Sequence, residues 1–206
     1  WTEYCLTLKK DYPIVTSNLA SNPINSYFLV SRLAALSNKK QHFVSDAGSS
    51  YYVTGQALDY AFGQKDITSG SFATMGAAIP MAIGASCYDK DAQIIVVTGD
   101  GSLELNIQEL KTVSQNNLNI KIFVINNGGY ASIRESQDEY SEGRYTEDED
   151  ILDFSKVANA FEMNYEIIDD YLTIDEQINK ITSNSNPALI EVVCERDQKI
   201  FGPEVI

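Results

Sequence analysis

The sequence predicts an α/β fold in which helices cover both faces of a mostly parallel β-sheet. Short apolar runs rich in β-branched residues alternate with longer segments whose apolar residues recur at helical spacing. The runs at 94–98 and 121–125 are apolar almost throughout, which is typical of strands buried on both faces of a parallel sheet. Small polar residues follow these strands, and in such sheets the carboxyl ends of the strands form the edge that binds ligands.

The first half of the chain supplies the elements before the central strands. Residues 12–18 predict a short extended opening segment, and the apolar spacing at 24–37 predicts a helix. The stretch 41–50 predicts a strand that ends in small residues and leads into a helix from residue 51. The Gly- and Ala-rich stretch 71–88 predicts a loop followed by a helix packed closely on its neighbour.

The second half continues the alternation of strands and helices. Between the strands at 94–98 and 121–125 we expect one helix at about 105–115. Asp153 is a typical N-cap residue for a following helix. The remaining predicted elements are a helix at 153–161, a strand at 164–169, a helix at 173–183 and a last buried strand at 187–195.

Composition and charge limit the classes of partner. The chain has 206 residues, 44% of them hydrophobic, and we interpret residues 1–206 as a single α/β domain with a large core. Its 15 Lys and Arg against 29 Asp and Glu give a net charge of −14, which disfavours nucleic acid and anionic membranes as partners. No apolar run approaches the ~20 residues that span a bilayer.

The numbers and positions of cysteine and histidine limit the kinds of site that the chain can contain. Cys5, Cys87 and Cys194 are odd in number and far apart, which disfavours a disulfide framework or zinc site and favours a cytoplasmic location. His42 is the only histidine, so counting nearly excludes a histidine-based catalytic triad. The first residue is Trp1 rather than methionine, and we therefore expect the chain to be a fragment of a longer protein.

The residues that follow two predicted strands indicate a metal site. Asp100 lies in the GDGS sequence at 99–102, and Asn126 and Asn127 end the next strand before two glycines. One carboxylate, one amide oxygen and one backbone carbonyl at the same edge would form an oxygen-only half-shell, which suits Mg²⁺ with a diphosphate on its other side. For Asp100 alone, the alternative interpretation is a helix cap in an ordinary strand-to-helix turn.

A dinucleotide-binding domain is the main competing interpretation, because it shares the strand–glycine–helix arrangement. The sequence GDGSLE at 99–104 lacks the second and third glycines of the G-x-G-x-x-G fingerprint. The next strand ends in Asn126 and Asn127, where a dinucleotide-binding domain has an acidic residue that binds a ribose. The dinucleotide interpretation is therefore the weaker of the two.

The spacing of GDG at 99–101 and NN at 126–127 resembles the signature of thiamine diphosphate-dependent enzymes. The stretch 69–86 resembles the segment of this family beneath the cofactor, and SDAGSS at 45–50 resembles its upstream phosphate loop. PALIEV at 187–192 resembles the closing strand of the acetolactate synthase group. Most of the chain is thus similar to the C-terminal, diphosphate-binding domain of acetolactate synthase-like enzymes, and the resemblance implies the thiamine diphosphate-binding fold.

The resemblance implies two cofactors, thiamine diphosphate and Mg²⁺, and a role for each matching residue. Asp100, the Asn127 side chain and the Gly129 carbonyl would bind the metal. The Met75 side chain would hold the cofactor in its bent shape, and the Ala73 carbonyl would accept a hydrogen bond from the aminopyrimidine. The residues that would contact the diphosphate are Ser49, Ser50, Gly101 and Ser102, with the N–H groups of Ala131 and Ser132.

The resemblance also implies an activity and a partner. A 2-keto acid would be decarboxylated and the product ligated to a second carbonyl, with the cofactor carrying the chemistry. The essential glutamate of the family lies in a pyrimidine-binding domain, usually of a neighbouring subunit. We therefore expect no catalytic residue in this chain, no activity of the chain alone, and a homodimer or homotetramer. The alternatives are an inactive structural or regulatory homologue and, less favoured, a nucleotide-binding oxidoreductase domain.

The charged stretch at 134–150 is longer than a routine connection between two elements. Seven acidic residues lie between Asp138 and Asp150, and composition alone predicts a solvated acidic loop. The resemblance implies that this region closes over bound cofactor. We expect it to be the most mobile part of the chain, because few apolar side chains are present to offset the cost of ordering it.

Overall fold

A computed structural model describes residues 1–145 and 151–201 of the chain. The strands in these residues are β1 Gln41–Ser45, β2 Asp66–Ile67, β3 Gln93–Gly99, β4 Ile120–Asn126, β5 Asn164–Ile168 and β6 Ala188–Val193. The α-helices are α1 Thr2–Asp11, α2 Ser26–Ala35, α3 Ser49–Ala57, α4 Ala78–Tyr88, α5 Asp100–Glu104, α6 Glu109–Gln115, α7 Ala131–Tyr140, α8 Phe154–Ala160 and α9 Ile174–Thr182. None of these helices combines the length and the apolar character that crossing a membrane requires.

The six strands of the described residues form one sheet in the order β2-β1-β3-β4-β6-β5, and every neighbouring pair is parallel. The predicted α/β fold with a mostly parallel sheet is therefore confirmed. The chain continues from β1 to β2 on one side and from β3 to β4 on the other, so the direction of winding reverses between β1 and β3. Parallel α/β sheets bind ligands at the carboxyl ends of the strands beside such a reversal.

Helices pack on both faces of the sheet because successive strand residues point to opposite faces. Val97 and Ile125 belong to a core shared with α2, α3 and α9. Val96 and Val124 belong to a second core, shared with α4, α6 and α8. Since β3 and β4 are covered on both sides, nearly every position along them is buried. This double burial accounts for the continuous apolar runs in the sequence.

The helix predicted at about 105–115 is present as α6 at Glu109–Gln115, but it begins four residues later than predicted, and a separate helix α5 at Asp100–Glu104 precedes it. The prediction of one helix between β3 and β4 is therefore wrong. The connection between α5 and α6 packs against the turn before α4. The Asn106 Nδ2 donates to the Gly76 carbonyl at 2.9 Å, and a Cβ on Gly76 would lie 2.8 Å from the Cβ of Leu105. The backbone forms tighter turns here, since the Leu105 N–H donates to the Ser102 carbonyl three residues earlier. This tertiary contact interrupts a pattern that is helical in isolation.

The prediction of an acidic loop at 134–150 is wrong for its first part, because α7 extends through Tyr140. Arg134 in this helix is 1% exposed, whereas the sequence pattern predicts a solvated side chain. Residues 146–150 of the stretch lie outside the described residues, and its mobility and closure stay predictions. The sequence also carried no prediction for α1, which buries none of its residues, or for the two-residue edge strand β2.

Asp46 joins three segments at the carboxyl edge of the sheet. Its Oδ1 accepts from the N–H groups of Ala47 at 2.9 Å and Gly76 at 2.8 Å. Its Oδ2 accepts from the Thr98 hydroxyl at 3.0 Å and the Ala78 N–H at 3.3 Å. Burial raises the pKa of the Asp46 carboxyl above its ordinary value, against hydrogen bonds that favour the carboxylate. The side chain thereby fastens β1 to β3 and to the start of α4.

We expect Asp46→Asn to lower the free energy of unfolding by about 1–3 kcal/mol, because the asparagine amide group would face donors that the carboxylate now accepts. Chemical denaturation monitored by circular dichroism measures this change. Asp91→Asn is the matched control, since Asp91 is exposed at the opposite edge of the sheet, and it should change stability by less than about 0.5 kcal/mol. Equal stability of the two variants would contradict the role of Asp46.

Candidate cofactor and metal site

A cleft of about 430 Å³ lies at the carboxyl edge of the sheet, between the ends of β1 and β3. It therefore lies at the reversal of winding, where a ligand site is expected. The structure brings most of the predicted site residues to its wall: Ser49, Ser50, Met75, Asp100, Gly101, Ser102, Asn127, Ala131 and Ser132. The predicted residues Ala73 and Gly129 are not among the residues that line it.

Asp100 connects the ends of β3 and β4. Its Oδ2 accepts from the N–H groups of Asn127 at 3.0 Å and Gly129 at 2.9 Å, and its Oδ1 accepts from the Gly101 N–H at 2.8 Å. The residue is 2% exposed. A carboxylate oxygen can accept at least two hydrogen bonds, so Oδ1 keeps a lone pair for a cation. The predicted proximity of Asp100 and Asn127 is thus present in the structure.

The loop at 127–129 presents a defined set of oxygens. The Arg134 guanidinium donates to the Asn127 carbonyl at 3.1 Å and to the Gly128 carbonyl at 3.0 Å. Within residues 1–145 and 151–201, no hydrogen bond reaches the Gly129 carbonyl or the Asn127 side chain. With Asp100, these are the three oxygens predicted to bind a metal.

The opposite wall of the cleft carries groups that donate to an anion. The hydroxyls of Ser49 and Ser132 lie 3.2 Å apart, one at the start of α3 and the other in the first turn of α7. The N–H groups of Ala131 and Ser132 begin α7 and have no hydrogen-bond acceptor within the described ranges. Free N–H groups at the start of a helix form a binding site for phosphate.

Of the other residues predicted to contact a cofactor, all but Ala73 line the cleft. Met75 and Ser102 line it, as expected for contacts with a bound molecule. Ser50 also lines it, but its buried hydroxyl donates to the Ala47 carbonyl at 2.8 Å within the same turn. Ala73 adopts a left-handed φ of 42° at the end of a short 3₁₀ helix. The roles of these four residues toward a cofactor stay predictions.

Tyr130 and Arg134 are site residues that the sequence reasoning missed. The Tyr130 ring lies against Gly101, where a Cβ would be 3.0 Å from the nearest ring carbon, so glycine is required unless the ring moves. Tyr130 itself has a left-handed φ of 48° immediately before α7. The sequence carries no signal for either residue, since the neighbouring apolar Ile133 is itself exposed.

The donor set fits Mg²⁺ and a diphosphate. Among the residues that the structure describes, no group of three or more His, Cys, Asp and Glu side chains could hold a metal. The loop and Asp100 instead offer three oxygens of three types, and Mg²⁺ prefers oxygen ligands and usually shares them with phosphate. The free N–H groups of Ala131 and Ser132 complement a phosphate on the other side of the cleft.

Comparison with known proteins agrees with this geometry. The family described as "Thiamine pyrophosphate enzyme, C-terminal TPP binding domain" matches residues 46–192. The acetolactate synthase isozyme 1 large subunit of Escherichia coli (strain K12) is 28% identical over 203 residues, which cover 98% of this chain and 36% of that protein. The mitochondrial acetolactate synthase catalytic subunit of Aspergillus candidus is 30% identical over 168 residues, 81% of this chain and 24% of that protein.

A third relative, the acetolactate synthase large subunit of Buchnera aphidicola subsp. Schizaphis graminum, is 34% identical over 148 residues, 70% of this chain and 26% of that protein. The chain thus spans about a third or less of the length of these curated relatives. The family match covers β3, β4 and the cleft between them and β1. The chain belongs to the thiamine pyrophosphate (thiamine diphosphate) enzyme family and is similar to the C-terminal cofactor-binding domain of its acetolactate synthase-like members.

Proposed function

We propose that this chain is the diphosphate- and Mg²⁺-binding domain of an enzyme that decarboxylates a 2-keto acid and ligates the product to a second carbonyl. The observation that carries the proposal is the arrangement of three oxygens at the ends of β3 and β4. Asp100 keeps a free lone pair, and the Asn127 side chain and Gly129 carbonyl lack partners within the described residues. A buried carboxylate beside two oxygens that accept no hydrogen bond from the described residues fits a cation site.

The residues in and beside the cleft have separate tasks in this proposal. Asp100, Asn127 and Gly129 would hold Mg²⁺, which would offset the charge of the diphosphate. Ser49, Ser102 and the N–H groups at the start of α7 orient the phosphate oxygens, and the Met75 side chain and Ala73 carbonyl contact the rest of the cofactor. Bound thiamine diphosphate supplies the reactive carbon and its own internal base, so the chain needs to bind and orient the cofactor rather than transfer protons itself.

The catalytic acid–base group is proposed to come from outside this chain. The family resemblance implies a glutamate on a pyrimidine-binding domain, and the relatives are about three times as long as this chain. We therefore propose that residues 1–206 form one domain of a longer enzyme. An inactive homologue would have no use for an unsatisfied oxygen set beside Asp100, which favours an enzyme. The family membership leaves no support for the nucleotide-binding oxidoreductase.

Exposed apolar side chains occur in the segments that follow the carboxyl ends of β1, β2, β3 and β4. They are Tyr52, Phe72, Leu105 and Ile133. Exposed apolar residues near a site are typical of a protein–protein contact. We propose that the pyrimidine-binding domain of a neighbouring subunit covers these residues, in a homodimer or homotetramer that closes the cofactor between two chains.

The first prediction concerns the metal. In the full-length protein, Asp100→Asn should weaken Mg²⁺-dependent binding of thiamine diphosphate by more than about tenfold, because the only carboxylate of the oxygen set is neutralised. Isothermal titration calorimetry at varied Mg²⁺ concentration measures this. Asp89→Asn is the control, since Asp89 contacts His42 at the other edge of the sheet. Wild-type affinity in Asp100→Asn would refute the proposed metal site.

The second prediction concerns assembly. Phe72→Glu should shift the full-length protein toward monomer, because a carboxylate at this exposed position would be buried against the proposed partner. Tyr88→Glu is the matched control: the two side chains are 90% and 81% exposed, but Tyr88 ends α4 at the opposite edge. Analytical ultracentrifugation reports the oligomeric state. An equal effect of both variants, or of neither, would exclude the carboxyl edge as the subunit contact.

A further inference from the structure

Arg134 has an unusual environment for a charged side chain. It is 1% exposed and lies on α7, with its guanidinium directed toward the turn after β4. Besides the carbonyls of Asn127 and Gly128, it donates to the Arg196 carbonyl at 2.6 Å and approaches Asp197 Oδ1 at 3.4 Å. Asp197 is more than half exposed, so most of the acceptors around this buried cation are neutral carbonyls.

The environment of Arg134 is unusual for a residue that only fills space in the core. Burying a cation is costly unless its donors are satisfied, and neutral carbonyls compensate less than carboxylates do. A methionine would avoid burying the charge, but it would leave the carbonyls of Asn127, Gly128 and Arg196 without these donors. The guanidinium is suited to this position because its planar set of five N–H groups reaches acceptors spread more widely than the three donors of an ammonium group can reach.

The acceptors of Arg134 belong to a loop with little conformational preference of its own. Gly128 and Gly129 have left-handed φ values of 82° and 76°. Glycine populates such conformations but also many others, so the loop needs external contacts to keep one shape. A Cβ on Gly128 would lie 2.4 Å from Arg196 Nη1, which shows how closely the segment after β6 covers the loop.

Arg134 and Asp100 hold this loop from opposite sides. Asp100 accepts the N–H groups of Asn127 and Gly129, while Arg134 donates to the carbonyls of Asn127 and Gly128. The Gly129 carbonyl is left as the loop oxygen without a donor within the described residues. By engaging the two preceding carbonyls, the guanidinium selects which backbone oxygen remains for a cation.

We infer that Arg134 is a positioning residue that holds the loop at 127–129 in its metal-binding conformation before the metal binds. The inference extends the proposed function, since it rests on the oxygen set being a Mg²⁺ site. The Arg196 carbonyl is part of the arrangement, because the same guanidinium joins the loop to the segment after β6. Arg134 touches no proposed ligand atom directly and acts through the backbone of the loop.

The test compares Arg134→Met, Arg134→Lys and the control Arg32→Met in the full-length protein. Arg32 also donates two hydrogen bonds, to Asp175 at 2.7 and 2.8 Å, but joins α2 to α9 away from the cleft. The first readout is amide hydrogen exchange without ligands, followed at the Asn127 and Gly129 N–H groups. The second is the Mg²⁺ concentration that half-saturates thiamine diphosphate binding, measured by calorimetry.

Arg134→Met should speed exchange at 127–129 and raise the required Mg²⁺ concentration about 10- to 100-fold, with a smaller effect in Arg134→Lys. Arg32→Met should leave both quantities at wild-type values even if it lowers thermal stability. If Arg134→Met does not fold, Arg134→Lys carries the same comparison, because it keeps the charge but not the planar set of donors.

Loss of stability with wild-type exchange and wild-type Mg²⁺ dependence in the Arg134 variants would overturn the inference. Failure of the wild-type protein to bind thiamine diphosphate with Mg²⁺ would instead overturn the proposed function. In that case the exchange readout still decides the inference: faster exchange at 127–129 in the Arg134 variants supports loop positioning, and unchanged exchange refutes it.

Discussion

The carboxylate of Asp100 is the group on which the carboxyl edge of the sheet depends. It accepts N–H groups from the turn after β4 while its own residue begins the helix after β3, so one side chain connects two strand ends. The parallel register of β3 and β4 makes this possible, because their ends lie side by side. Both the shape of the turn at 127–129 and the proposed metal site follow from that contact.

Two buried charges of opposite sign shape the turn. Asp100 accepts hydrogen bonds from the N–H groups of Asn127 and Gly129, and Arg134 donates to the carbonyls of Asn127 and Gly128. These contacts favour one conformation of a segment whose two glycines have left-handed φ values. The chain carries a net charge of −14, and in the proposed site local N–H groups and a cation, rather than basic side chains, provide the charge complementary to a diphosphate. The net charge therefore disfavours nucleic acid as a partner but is compatible with a small phosphate compound.

The correct predictions of strands rested on local sequence patterns, and the predictions that failed concern segments shaped by contacts with other parts of the chain. Continuous apolar runs identified β3 and β4, because strands buried on both faces leave no polar alternation. The helix predicted at about 105–115 begins only at Glu109, because Asn106 and Leu105 contact Gly76, about thirty residues earlier in the chain. α7 was missed because its charged residues suggest a solvated loop, while Arg134 is buried by acceptors that only the folded chain supplies.

The sequence by itself determined the α/β architecture, the family, and the residue types gathered at one edge of the sheet. Those features depend on local periodicity and on short motifs, which a linear pattern records. Only the tertiary structure decided that Asp46 fastens β1 to β3, that Tyr130 packs on Gly101, and that Arg134 donates to the carbonyls of Asn127 and Gly128. These outcomes depend on hydrogen bonds and contacts between segments that are distant in sequence or lie across a turn. The distance and direction between two groups determine whether such a contact forms, and residue identity alone does not predict it.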